Sequence, residues 1–121
     1  MTKTVLIIDD DVELSEILSD ILEEKQYHVL VANDGLQAIK KTKGEKIDLI
    51  LLDIQMPYMS GFWFCDLFKK KMDTKKIPIV MISGLSKEEN AKKAYQLGAC
   101  AFLKKPFEFE ELFEVLEKHI S

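Results

Sequence analysis

Cysteine occurs only twice in this chain, at Cys65 inside a helical stretch and at Cys100 just before an apolar one. Neither stands at metal-ligand spacing from another thiol or imidazole, and no secretory leader is read. Zinc and disulfide frameworks are therefore excluded, and the expectation is two reduced packing residues in a cytoplasmic protein. Histidine is as scarce, and the isolated His28 and His119 make poor candidates for ligands. Glycine and proline number five and three and nowhere gather into a linker, and no internal repeat is present. No apolar run approaches the ~20 residues of a membrane helix, so membrane insertion is not expected. Charge of one sign is not concentrated either: the net charge of -4 is a small balance of mixed signs, which argues against direct nucleic-acid binding. The runs Lys69-Lys70-Lys71 and Lys75-Lys76 read as a solvated helix end, where basic residues are favoured.

What is present suits one domain over residues 1–121. The chain is 47% hydrophobic and 31% charged, enough to bury a core without staples. Its organising stretch is Asp48 to Pro57. An unbroken run of branched aliphatics fits a strand covered on both faces, and it stops at Asp53, followed by a turn. Pro57 forbids helix for its predecessor, and Ser60 can cap the helix beyond. Asp53 alone reads equally well as a turn residue. The other strand ends decide between the two.

Thr4 to Ile8 form a first strand ending at Asp9-Asp10-Asp11. Leu14, Ile17, Leu18, Ile21 and Leu22 then put an apolar stripe on a helix reaching about Gln26. A second strand over 27–32, a cap at Asn33-Asp34-Gly35 and a short helix to Thr42, ended by Gly44, come next. The third strand covers 47–52, the third helix runs from Ser60 to Met72, and Pro78 opens a fourth strand closed by Ser83-Gly84. A helix from Ser86 or Lys87 stops at Gly98. Ala101 to Leu103 make the fifth strand, and Phe107 to Ile120 the last helix. Five strand–helix units predict an α/β fold, a (βα)5 flavodoxin-like three-layer sandwich with a parallel sheet in the order 2-1-3-4-5. That order brings Asp9, Asp10 and Asp53 to one crevice, with Ser83 and Lys105 beside it.

Three adjoining carboxylates repel one another unless a cation joins them or some take up protons. A hard divalent ion with oxygen ligands resolves this, and Mg²⁺ fits best, with Mn²⁺ as a substitute. Lys105 adds an ammonium, Ser83 a hydroxyl and Gly84 a backbone amide. Together they make a cradle for a phosphoryl group on Asp53, which would be the nucleophile. Singly, Lys105 reads as a snorkelling surface lysine and Ser83 as a helix cap.

With Asp9-Asp10 after the first strand, Asp53 followed by Met56-Pro57 and Gly61, Ser83, Gly98-Ala99, Phe102 and Lys105-Pro106-Phe107, the whole chain resembles a bacterial response-regulator receiver domain. The resemblance implies that Asp53 accepts phosphate from a histidine kinase or phosphotransfer protein. It implies that Asp10, Asp53 and the Gln55 carbonyl bind Mg²⁺ directly and Asp9 through water. Lys105 would pair with the phosphoryl oxygens, and the Lys105-Pro106 bond would be cis. Ser83 would move toward the phosphoryl group and Phe102 fill the space it leaves. This would change the face made by helix four, strand five and helix five for a downstream effector or output domain. Helix one and the loop after Pro106 would receive the kinase.

Phe102 stands where the family often has tyrosine, which removes a phenolic hydrogen bond from the switch. Cys100-Ala101 and a helix five without arginine lack the charged dimer network of the winged-helix subclass, leaving any phosphorylation-dependent dimer to other contacts. The resemblance implies that Gln55 and Leu85, two beyond Asp53 and Ser83, would flank the route of attacking water and tune phosphate lifetime. No output domain is read in the sequence, so the expectation is a single-domain regulator or one separated from its effector. A dehalogenase-like phosphatase is the rival enzyme reading, but it wants threonine or valine where Glu13 stands; a phosphate-independent scaffold is the other. An EF-hand fails because Leu14 occupies its glycine position. In the third helix Phe62, Cys65 and Phe68 are the expected inward stripe, with Trp63 and Leu67 packing against a neighbouring helix or forming a docking patch.

Overall fold

The computed structural model describes residues 2–56, 59–84 and 88–120. Five strands, β1 (Thr4–Ile8), β2 (His28–Ala32), β3 (Leu49–Asp53), β4 (Ile79–Ser83) and β5 (Ala101–Lys104), alternate with five helices. These are α1 (Val12–Glu24), α2 (Gly35–Gly44), α3 (Gly61–Lys70), α4 (Glu88–Gln96) and α5 (Phe109–His119). All pairings are parallel, in the order β2-β1-β3-β4-β5, as the sequence implies. No helix among the described residues is long and apolar enough to cross a membrane.

Strand side chains alternate between faces, and the alternation sorts the core into two layers. Val5, Ile7, Leu49, Leu51, Val80, Ile82 and Leu103 meet Leu18 and Leu22 of α1 and Leu112 and Leu116 of α5. Leu6, Ile8, Ile50, Leu52, Ile79 and Met81 meet Ala38 of α2, Phe64, Cys65 and Phe68 of α3 and Ala94 of α4. A strand covered on both sides has no polar face, which is why β1, β3 and β4 are buried throughout.

Local signals set the helix starts. The carboxylates of Asp11 and Asp34 accept the N–H groups of Leu14 and Gln37 at 3.0 and 2.8 Å, and the Ser60 hydroxyl accepts that of Phe62 at 3.1 Å. The ends are less regular. α1 stops at Glu24 because Gln26 adopts φ +71°, and Gly98 takes φ +105° just beyond α4. α3 ends at Lys70 rather than Met72, whose side chain is exposed. α5 begins at Phe109, since Glu108 before it is extended. The start of α4 expected at Ser86 or Lys87, the position of Leu85 and the turn at Pro57 lie outside the described residues.

The inward stripe of α3 differs in part from the expected one. Phe64, Cys65 and Phe68 are fully buried, whereas Phe62 is half-buried beneath the Lys93 ammonium, 4.6 Å from its ring centroid. Cys65 and Phe68 are thus inward as expected and Phe62 packs at the edge of the same layer, while Phe64 joins them in the core. Leu67 packs on the core edge, but Trp63 is 50% exposed. Both thiols are free and raised above their usual range by burial, Cys65 to about 11, in keeping with packing roles.

At the far end of α3 the buried Thr74 hydroxyl donates to the Phe68 carbonyl at 2.6 Å. Thr74→Val keeps the shape and orphans that carbonyl, so chemical denaturation is expected to show a loss of about 1–2 kcal/mol. An unchanged midpoint would remove the bond from the account of stability.

Candidate functional site

The carboxyl ends of β1 and β3 lie side by side, Ile8 pairing with Leu52, so the next residues meet at the top of the sheet. One carboxylate oxygen from each of Asp9, Asp10 and Asp53 lies within 4.8 Å of the other two. Asp9 and Asp53 are buried, at 1% and 4% exposure, and Asp10 is open to solvent. The Lys105 ammonium reaches in from the end of β5, 3.1 Å from Asp9 Oδ2 and 3.7 Å from Asp53 Oδ1. Its closer partner is Asp9. The Lys105 N–H donates to the Ser83 carbonyl at 2.7 Å, which fixes the start of the β5–α5 loop against β4. The Lys105-Pro106 peptide is cis, as expected.

Burial pushes the Asp53 carboxyl up to about 7, helped by repulsion from Asp9 and, less, from Asp10. The Lys105 charge and the Gln55 N–H, 3.4 Å from Asp53 Oδ1, pull the other way and do not cancel it. One ammonium is thus too little cation for three acids. A hard divalent ion fits the remainder: the donors are all oxygens, and one face, that of Asp10, is open to water.

Ser83, Gly84 and Gln55 follow the strand ends beside this cluster. Ser83 is fully buried at the end of β4, and exposed Gly84 follows it, where an added side chain would meet open space. Gln55 is exposed two residues past Asp53. Phe102 pairs with Met81 across β4 and β5 and is half-buried against the α2–α3–α4 layer.

Two residues carry more than the sequence reading assigned them. A Cβ on Gly61 would come 2.1 Å from the Asp53 carbonyl oxygen and 2.8 Å from the Ile54 Cα, so only glycine lets α3 start this close to Asp53. Asn33 donates its amide to the Asp9 carbonyl at 2.8 Å and to the Ser15 hydroxyl at 3.1 Å. The Asn33-Asp34-Gly35 turn signal marked Asn33 as a loop residue, and nothing local names its partner 24 positions away.

Compared with known families, the response regulator receiver domain matches residues 5–117. This chain is a member of that family. The receiver is 37% identical over 108 residues to the transcriptional regulatory protein CpxR of Escherichia coli, covering 89% of this chain and 45% of that protein. It spans about half the length of the curated relatives it matches. Among solved structures it superposes on the Vibrio cholerae chemotaxis protein CheY4 with a TM-score of 0.92 at 30% identity, covering 99% and 100% of the two chains. The Thermotoga maritima response regulator TrrA, solved in complex with Mg²⁺ and BeF, gives a TM-score of 0.86 at 30% identity, with 98% and 100% covered. Receivers are signalling switches rather than classical enzymes, and the acid cluster of this one occupies the crevice its strand order creates.

Proposed function

We propose that this receiver is the phosphorylatable switch of a two-component phosphorelay, accepting a phosphoryl group on Asp53 from a histidine kinase or histidine phosphotransfer protein. The carrying observation is a buried, proton-hungry Asp53 held between two further acids and one ammonium. The domain would span residues 1–121 and work in the cytoplasm, answering to an effector or output domain. A phosphorylation-dependent dimer would use contacts other than the winged-helix charge network.

Asp10, Asp53 and the Gln55 carbonyl would hold Mg²⁺, or Mn²⁺ in its place, with Asp9 acting through water. The bound ion supplies positive charge against the carboxylates and the phosphoryl oxygens. An ionised Asp53 oxygen attacks phosphorus, forming the O–P bond as the P–N bond to the donor imidazole breaks; the imidazole nitrogen keeps that electron pair and takes up a proton. Lys105, already 3.7 Å from Asp53, balances charge on the transferred group. Ser83 and the Gly84 amide would complete its contacts. Ser83 movement then draws Phe102 inward and changes the α4–β5–α5 face. Hydrolysis of the acyl phosphate returns the resting state, the only other chemistry assigned to this domain. TrrA, a receiver relative crystallised with Mg²⁺ and BeF, lends support by likeness.

Incubation with acetyl phosphate and Mg²⁺ is expected to add one phosphoryl group, seen by mass spectrometry or Phos-tag electrophoresis, and Asp53→Asn is expected to add none. Equal labelling of the two proteins would overturn the assignment.

A further inference from the structure

We infer that Asn33 is a positioning residue for the divalent-ion site, acting through the peptide that joins Asp9 to Asp10; the inference rests on the functional reading above. The backbone of Asp9 is gripped on both sides. Its N–H donates to the Ala32 carbonyl at 3.1 Å, and its carbonyl accepts the Asn33 side-chain amide at 2.8 Å. That carbonyl lies in the Asp9–Asp10 peptide plane, whose orientation sets the direction in which the Asp10 chain leaves the strand. Asp10 is the exposed member of the cluster, whereas Asp9 and Asp53 are buried.

Asn33 is itself well anchored. Its second amide contact is the Ser15 hydroxyl at 3.1 Å, and Ser15 is fully buried and donates to the Val12 carbonyl at 2.9 Å. The Asn33 N–H donates to Gln37 Oε1 at 3.0 Å, and Gln37 belongs to the helix capped by Asp34. One side chain therefore ties the ends of β1 and β2 and the first turn of α1 to a single peptide. Only a donor serves here, because the group it meets is a carbonyl oxygen. Without that donor the peptide can rotate, and ligands that must stay close despite like charge lose their fixed spacing.

Isothermal titration of the whole chain with MgCl₂ at pH 8 tests this, with Thr74→Val as a variant weakened at the opposite end of the sheet. Asn33→Ala and the near-isosteric Asn33→Asp are each expected to raise the Mg²⁺ Kd about tenfold. Thr74→Val, despite its lower thermal midpoint, is expected to bind as the wild type does. Wild-type affinity in both Asn33 variants, or an equal loss in Thr74→Val, would overturn the positioning role and leave the functional reading intact. A wild-type chain that takes up no Mg²⁺ would overturn both.

Discussion

Gly61→Ala is expected to cost about 3 kcal/mol of unfolding free energy. The new Cβ would have to share space with backbone: the Asp53 carbonyl oxygen lies 2.1 Å from it and the Asp53 carbonyl carbon 2.9 Å. Backbone cannot step aside as a flexible side chain can. Gly35 differs in that a Cβ there meets side chains, the Phe64 ring and the Met59 sulfur at 2.6 and 2.7 Å, and no backbone is among its nearest atoms. Relief at Gly61 requires α3 to retreat from β3, which breaks the Gly61 N–H bond to the Ile54 carbonyl, 2.9 Å long. It also unseats Phe64, Cys65 and Phe68 from the core. Urea unfolding followed by Trp63 fluorescence measures the effect, and a loss below 1 kcal/mol would mean that the helix start is free to shift. Because Asp53 is the residue struck, Mg²⁺ affinity should fall with stability.

Asp53→Asn is expected to stabilise the metal-free protein, and the gain should depend on pH. The Asp53 carboxyl titrates at about 7 in the folded chain against 3.8 for the ordinary group. The folded state therefore holds this proton more tightly than the unfolded state, and stability falls as pH rises between those two values. Below 3.8 the contribution is fully present; above about 7 it is gone. A separation of about three pH units corresponds to a loss on the order of 3–4 kcal/mol. Asparagine carries no charge at any pH, so the variant should exceed the wild type at pH 8 in EDTA and converge on it toward pH 4. Adding Mg²⁺ at pH 8 should raise the wild-type melting temperature and leave the variant nearly unmoved, because an ion bound as proposed would replace the proton that Asp53 otherwise takes up. Parallel stability curves for the two proteins from pH 4.5 to 8 would show that Asp53 is neither desolvated nor repelled as described.

Both expectations arise from one arrangement: a charged side chain at a strand end, closed in by backbone below and by acids beside it. The gathering of charge was readable from the chain. Three acids at the tips of neighbouring strands follow from strand order, and strand order follows from five alternating units. The close approach at Gly61 was not readable, because its spacing from Asp53 does not say which atom a Cβ would strike. Lys105 falls between these cases. Its place beside the acids was expected, but its closer approach to Asp9 than to Asp53 depends on the path of the loop beyond β5.

Taken alone, the amino-acid order determined the five strands to within a residue or two, β3 starting at Leu49 rather than Ile47, and several helix starts. Those features depend on neighbours within a few residues: aliphatic runs for β1, β3 and β4, and the capping side chains Asp11, Asp34 and Ser60. Tertiary structure decided how far each ring of α3 is buried, Phe64 fully and Phe62 only in part, and the partner of Asn33. Each is settled by a contact across many positions of sequence, where docking of one element on another chooses among local patterns of nearly equal merit. A hydrogen-bond donor in a turn is visible in one dimension; the carbonyl it meets exists only once β1 and β2 lie side by side.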